Sequence, residues 1–453
     1  MTGGSVPAKP KVLFVSLGCD KNRVDAEKML GVLGLSGYQI TNDESDADVI
    51  IVNTCSFISD AKEESIDTIL QMAAYKECGK CRALIATGCM AQRYADEIRE
   101  QLPEVDAVVG TTAYDSIAEV IGKALNGERS EQLDDLKKIA LPSGKRVLTT
   151  GGHFAYLKIA EGCDKHCTYC AIPSMRGPFR SVPKEDLLRE AAQLAEDGVK
   201  ELILVAQETT LYGTDLYGRK CLHELIHELA RIEGIRWIRV LYCYPEEIYD
   251  DLIRCMKMEK KFVHYLDLPI QHSNDEILRK MGRRTNEEDL RRIIGRLRSE
   301  VPDIILRTTL ICGFPGETRE QFEDLCRFIN EMEFNRLGVF TYSQEEGTAA
   351  ARMDGQIDEE TKLSRRDELM ELQQEISFDL NEQLKGIQTD VLIEGYVPNE
   401  NVYIGRGYGD APDVDGFVFV SSDENLETGD FVHVKITGSS EYDLIGEMIP
   451  EEQ

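Results

Sequence analysis

Basic residues are scarce in this 453-residue chain, where 52 Lys plus Arg stand against 82 Asp plus Glu for a net charge of −30. A surface that binds RNA or DNA needs Lys and Arg to displace phosphate counterions, so the composition argues against a broad nucleic-acid footprint. Long apolar runs are missing too. Residues 49–52 and 202–206 are among the longest, far short of the about 20 residues that a membrane-crossing helix takes. No apolar stretch follows the first charges of residues 1–11, so no secretory signal is expected and the expected compartment is the cytoplasm. Internal repeats and low-complexity tracts are absent as well. What remains is an ordinary globular composition, 42% hydrophobic and 30% charged, on a chain long enough for about three domains. It also holds 13 cysteines. Without an export signal, that many thiols point away from disulfides and toward metal or redox chemistry.

Hydrophobic periodicity divides the chain into blocks. Residues 1–10 read as a flexible start. Over residues 11–125, strand-like runs at 12–17, 49–52, 83–86 and 107–109 alternate with helical spacing at 22–33, 59–75, 93–101 and 116–125. That alternation predicts a doubly wound parallel sheet. Residues 126–145 are polar and charged, contain Pro142 and Gly144, and read as a linker. From 146 to 385 six further strand-then-helix units follow, with strands expected at 154–160, 201–206, 237–241, 264–268, 304–311 and 337–340. Six units fit a partial (β/α)6, TIM-like barrel, whose sites sit at the carboxyl ends of the strands. Residues 386–453 change character again, to short β-rich runs between Gly, Asp and Pro turns, and predict a small antiparallel β-barrel.

Chemistry is written most plainly in Cys163-Asp-Lys-His-Cys167-Thr-Tyr-Cys170, directly after the first barrel strand. Three thiolates within eight residues can bind three irons of a cubane cluster and leave the fourth iron open to a substrate or cofactor. The competing reading is structural zinc with a distant fourth ligand such as His166, but zinc ribbons arrange their cysteines in separated pairs. A second set emerges once the first block is laid out. Cys19, Cys55 and Cys89 each lie just past the carboxyl end of a predicted parallel strand, where open α/β sheets place their ligands. Any one of them could be a packed core cysteine. All three at equivalent positions predict a second three-cysteine cluster.

The Cys163–Cys170 spacing, with Tyr169 before the last cysteine, resembles the motif of the radical S-adenosylmethionine (SAM) enzymes. Two three-cysteine sets, a central barrel and a small β tail together resemble the methylthiotransferases of that superfamily, over most of the chain. Ile172-Pro-Ser-Met-Arg-Gly-Pro-Phe-Arg180-Ser, Leu268-Pro-Ile-Gln-His272 and Cys312-Gly-Phe-Pro-Gly-Glu-Thr318 belong to the same likeness. One departure is Val182, where many members carry a second Arg, so one polar contact near SAM is left open. The resemblance implies two [4Fe–4S] clusters, one held by Cys163, Cys167 and Cys170 with SAM, the other by Cys19, Cys55 and Cys89 and carrying the sulfur to be inserted. It also implies one SAM as methyl donor, another as radical source, a TRAM-like tail that holds substrate, a reductant such as flavodoxin or ferredoxin, and a sulfur donor. Tyr169, Arg176, Arg180, Gln207 and Arg307 are the polar candidates for holding SAM. A monomer is expected.

Two branches of such enzymes compete, one acting on a tRNA adenosine, the other on the β-carbon of an aspartate in protein twelve of the small ribosomal subunit. Residues 386–453 hold 15 Asp plus Glu and only Arg406 and Lys435 as basic residues, a net of −13. Such a tail repels RNA and attracts a basic ribosomal protein. Gly409-Asp-Ala-Pro-Asp-Val-Asp-Gly416 and Ala206-Gln-Glu-Thr-Thr-Leu-Tyr-Gly213 resemble the protein-modifying branch, so no tRNA and no membrane partner is expected. Two remote readings are weighed beside it. An iron–sulfur electron carrier would use both clusters without cleaving SAM. His223-Glu-Leu-Ile-His227 matches a zinc-hydrolase pattern through His223, Glu224 and His227. Its apolar stripe, Leu222, Leu225, Ile226 and Leu229, nevertheless puts those three on the wet face. Cys78 and Cys81, Cys221, Cys243, Cys255, Cys312 and Cys326 read as ordinary thiols, and His272 as a structural histidine or a substrate contact.

Overall fold

The computed structural model describes residues 9–140 and 145–449. The expected flexible start lies outside them apart from Lys9 and Pro10, as do Pro142 and Gly144 of the expected linker. The described chain forms two compact units.

The first unit contains the chain up to Thr149 together with Glu161–Asp164 and Cys170–Arg180. Its strands are β1 (Lys11–Ser16), β2 (Gln39–Ile40), β3 (Val49–Thr54), β4 (Ala83–Gly88), β5 (Ala107–Val109) and β6 (Ser130–Gln132). All pair in parallel, in the order β2-β1-β3-β4-β5-β6. Every residue of β3 and β4 is buried, as expected of parallel strands covered on both faces. Met29 and Leu33 of helix Asp20–Leu35 and Ile117, Val120 and Ile121 of helix Ile117–Leu125 cover one face. Ile69 and Met72 of helix Ser59–Ala73 and Ile98 of helix Ala95–Gln101 cover the other. The sheet is doubly wound.

Part of the expected linker belongs to this sheet. Ser130–Gln132 pairs with β5, but its only partners there are backbone groups and its side chains are at most half-buried. A strand whose side chains are polar shows no hydrophobic period. The return from the linker is also fixed. Val147 N–H donates to Glu27 O at 3.1 Å, and the fully buried Glu27 carboxylate accepts from Arg146 and from Thr149, both at 2.7 Å. Residues 146–149 therefore pack with the first unit, not with the barrel to which the sequence assigned them.

The second unit begins with six parallel strands: β7 (Phe154–Lys158), β8 (Glu201–Val205), β9 (Trp237–Val240), β10 (Phe262–Asp267), β11 (Ile305–Cys312) and β12 (Arg336–Thr341). They run side by side in chain order as an open sheet with β7 and β12 at its edges, a partial (β/α)6 barrel. Helix Glu359–Glu382 follows, with Gln373 donating to Phe334 O at 2.8 Å. The tail then closes a five-stranded barrel from β13 (Gln388–Val397), β14 (Val402–Gly407), β15 (Val418–Ser421), β16 (Phe431–Ser439) and β17 (Leu444–Met448). Alternate residues Val391, Ile393, Val418, Val420, Val434 and Ile436 fill it. Its pairs are antiparallel except β15 with β17, which is parallel.

The tail barrel docks on the amino ends of the six-stranded sheet. Glu201, the first residue of β8, is fully buried between Arg239 (2.8 Å) and Arg406 (2.7 Å). Burial pushes its carboxyl up, but the two guanidinium groups outweigh this and hold it below the usual carboxylate range. Asp410 pairs with Arg336 at 2.7 Å, and Asp415 accepts from Tyr265 at 2.7 Å. The Trp237 and Phe431 rings meet edge to face, centroids 4.7 Å apart. Two acids of the tail motif are thus sewn into the floor of the barrel.

Candidate metal centres

Cys19, Cys55 and Cys89 follow β1, β3 and β4, which are neighbours in the sheet. Glycine lets their loops meet. Gly18 has φ +88°, and a Cβ there would stand 2.9 Å from Cys55 Cβ and 3.1 Å from its sulfur. Gly88, at φ +93°, leaves no room either, since a Cβ would come within 2.5 Å of Asn53 and Thr54. Cys55 N–H donates to Ser65 Oγ at 3.0 Å. Cys89 opens the short helix Cys89–Arg93. Cys55 and Cys89 are buried, and Cys19 is exposed. Burial pushes the Cys55 thiol up to about 12, with Cys89 and Cys19 adding to the rise. Cys89 is pushed up by burial and by Cys19, against the opposing pull of Arg176. Cys55 and Cys89 therefore each resist ionisation more than an exposed thiol does.

Arg176, expected at SAM, lies instead on Cys89. Its Nε and Nη2 point at the Cys89 sulfur from 3.4 and 3.3 Å. Nη2 also donates to Asn22 Oδ1 (2.6 Å), and Nη1 to Asp25 (2.6 Å) and Glu161 (3.1 Å). Arg180 is occupied by backbone: it donates to the carbonyls of Lys138 (3.0 Å), Arg176 (2.7 Å) and Pro178 (2.9 Å). Arg307 is held in the barrel floor by Asp267 (3.1 Å) and Asp415 (3.4 Å). Of the five SAM candidates, the structure thus binds three arginines into internal contacts. Gln207 stands half-buried just past β8.

The second motif follows β7. In the first unit, Gly162 has φ +79°, and a Cβ there would meet Pro178 O at 2.1 Å. Cys163 N–H donates to Gly177 O at 3.2 Å, and Phe179 N–H to Asp164 at 3.2 Å. In the second unit, Cys167 Sγ lies 4.0 Å from the Tyr244 hydroxyl, and Thr168 donates to Lys280 O at 2.7 Å. Tyr169 packs against the cluster of Ile277, Met281, Phe314, Tyr342 and Ala350. Lys165, between two of the cysteines, pairs with Glu247 and lies 3.6 Å from Glu246 and 3.8 Å from Glu208. Arg283 spreads over the Tyr244 ring at 4.4 Å. Burial pushes Glu208 up to about 7, against hydrogen bonds from Thr210 and the charge of Lys165. Tyr244, Glu208 and Arg283 were not singled out in the sequence. Glu208 stood in a quoted motif, but no periodicity marks a loop residue that faces a neighbouring loop.

The zinc-hydrolase pattern does not assemble. His223 Nδ1 faces the Tyr249 hydroxyl at 3.0 Å, while the exposed His227 faces Glu259 at 3.4 Å. Among the described residues no group of three or more His, Cys, Asp or Glu side chains gathers as a single metal ion requires. His272 is buried, its Nδ1 accepting from Ser273 N–H (3.0 Å) and Asn274 N–H (2.9 Å), a structural role.

Residues 11–110 match the model described as Uncharacterized protein family UPF0004, 157–329 the Radical SAM superfamily, and 386–449 the TRAM domain. A Lachnoclostridium phytofermentans protein named ribosomal protein uS12 methylthiotransferase RimO is 57% identical over 436 residues, covering 96% of this chain and 99% of its own. The chain belongs to the RimO family. A Clostridium botulinum RimO of the same name is 52% identical over 439 residues, covering 97% of this chain and 98% of its own. As a RimO-family member the chain is a radical SAM transferase, and the superfamily implies a [4Fe–4S] cluster and SAM. Cys163, Cys167 and Cys170 fall within the Radical SAM match, and Cys19, Cys55 and Cys89 within the UPF0004 match. The radical SAM methyltransferase TsrM of Kitasatospora setae shares the fold, with a TM-score of 0.53 at 13% identity over 84% of this chain and 78% of its own.

Proposed function

We propose that this protein inserts a methylthio group at the β-carbon of one aspartate of ribosomal protein uS12, in the cytoplasm. The observation that carries the proposal is the match of nearly the whole chain, at 57% identity, to a protein named for that activity. Cys163, Cys167 and Cys170 would hold a four-iron cluster and its SAM, and Cys19, Cys55 and Cys89 a second cluster. When bound, these groups supply a hydrogen-abstracting radical, a sulfur atom and, from a second SAM, the methyl group. The residues support that assignment. Gly18 and Gly88 permit the close approach of the three strand-end loops. Burial raises the Cys55 and Cys89 thiols, so a cluster held there would have to displace their protons and loading would favour higher pH.

The tail supports a basic protein partner over RNA. Arg406 is buried against Glu201 and Glu394, so Lys435 is the one Lys or Arg that the described tail exposes. Asp390, Glu400, Asp413, Asp423, Glu424, Glu427, Glu441 and Glu447 are exposed around it. Anaerobic turnover with SAM and dithionite, offering uS12 and tRNA in parallel, tests the reading. The protein should gain the mass of one SCH₂ unit on a single aspartate, and a gain on tRNA alone would overturn the substrate assignment.

A further inference from the structure

We infer that Arg176 is a positioning residue for the N-terminal cysteine set: it ties Cys89 to the loops of Cys19 and Cys55 and raises the electron affinity of the cluster held there. The inference rests on the proposed second cluster. Arg176 is 1% exposed, and all five N–H groups of its guanidinium are engaged: two on Cys89, one each on Asn22, Asp25 and Glu161. Burying a guanidinium costs several kcal/mol unless every donor is met and countercharge is near. Here both conditions hold, and two of the five donors are spent on a sulfur atom. A guanidinium that served only to neutralise Asp25 and Glu161 would have no need of that sulfur.

Asn22 extends the link. Its amide hydrogens go to Leu17 O (3.0 Å) and Thr54 O (2.9 Å), while its oxygen accepts from Arg176 at 2.6 Å. Leu17 lies two residues before Cys19, and Thr54 immediately precedes Cys55. One polar chain therefore runs from the backbone of the first two loops to the sulfur of the third. Glu161 and Arg176 also bracket Cys163 and Cys170 in sequence, so the segment carrying the radical SAM motif supplies two members of that chain. Hydrogen bonds and positive charge at a cluster thiolate stabilise the reduced form and raise its potential.

The test is a dithionite titration, one electron per cluster, followed by electron paramagnetic resonance on the full chain. Replacing Cys163, Cys167 and Cys170 by Ala leaves the second cluster as the only reporter. That background should hold about four irons per chain. Adding Arg176→Gln should keep the iron and lower the reduced-to-oxidised ratio about tenfold at fixed potential, equivalent to about 59 mV for one electron. Asp25→Asn, which removes a negative charge from the same chain, should move the ratio the opposite way. Loss of iron from Arg176→Gln, with retention in Arg176→Lys and the opposite shift in Asp25→Asn, also supports the assignment. Four irons with an unmoved ratio, or shifts of the same sign in Arg176→Gln and Asp25→Asn, overturns it. A background chain with no iron overturns the second-cluster reading itself.

Discussion

Gly18 shows how a single missing carbon governs a cysteine set. Its backbone is left-handed and its neighbour is the Cys55 side chain, so Gly18→Ala meets strain and overlap together. The variant should fold, keep the iron held by Cys163, Cys167 and Cys170, and lose roughly half of a total of about eight irons; iron and sulfide analysis against the parent chain checks this. Glu208 carries a pH prediction. Its folded carboxyl sits at about 7, above the ordinary 4.5, chiefly through burial. The stability it contributes is complete below pH 4.5 and is lost as the pH rises through 7. Relative to Glu208→Gln, which stays neutral, the wild-type chain should lose on the order of 2–3 kcal/mol across that window. Equal pH dependence of the two melting curves would show that Lys165 offsets the burial. The strand-end places of Cys19, Cys55 and Cys89, and of the motif that opens with Cys163, were legible at this scale because the strands before them carry patterns that can be read. Arg176 was placed at SAM for a related reason: its motif was legible, but its partners are 15 to 154 residues away in the chain, and nothing local encodes them.

Between elements, the junction of the tail with the barrel rests on buried ions. Removing one member of a buried pair strands the other charge, at a cost of about 3–5 kcal/mol. Asp415→Asn leaves Arg307 with Asp267 alone and keeps a partner for Tyr265. Glu201→Ala strips Arg239 of its carboxylate partner and leaves Arg406 with Glu394 alone. The second variant should therefore lower the melting temperature more than the first, and limited proteolysis should cut it near residues 383–387 while the barrel persists. The two parallel sheets were readable as alternation of strand and helix, because buried strands and amphipathic helices each carry their own period. Ser130–Gln132 was not, since an edge strand with polar side chains has no period to read. The parallel pairing of β15 with β17 was equally silent: pairing direction depends on topology, and both strands alternate as an antiparallel strand would.

Over the whole molecule the charge count changed meaning when burial was added. The sequence credited the tail with 15 acids, but Asp410 and Asp415 are buried against arginines of the barrel, and one of the two basic residues is buried too. The exposed remainder stays strongly negative. Replacing Asp423, Glu424 and Glu427 by Ser should slow association with a basic protein about tenfold at low salt and flatten its salt dependence, with the melting temperature unchanged. Stopped-flow association at several ionic strengths measures it, and an unchanged salt slope would remove the tail from docking.

The floor of the barrel has a further consequence, one of reach. The tail sits at the amino ends of the six-stranded sheet, the motif containing Lys165–Tyr169 follows the carboxyl end of β7, and the strands run four to eight residues, about 13–26 Å at 3.3 Å per residue. A uS12 docked on the tail, as proposed, would have to extend past the length of the strands to reach the cysteine motif. Free aspartate or a short peptide cannot bridge that span, whereas a folded protein with a protruding loop can. Trimming the tail's exposed acids should therefore raise KM for the intact protein and leave turnover of a short peptide unaltered, and under that docking the size of a substrate would count as well as its sequence.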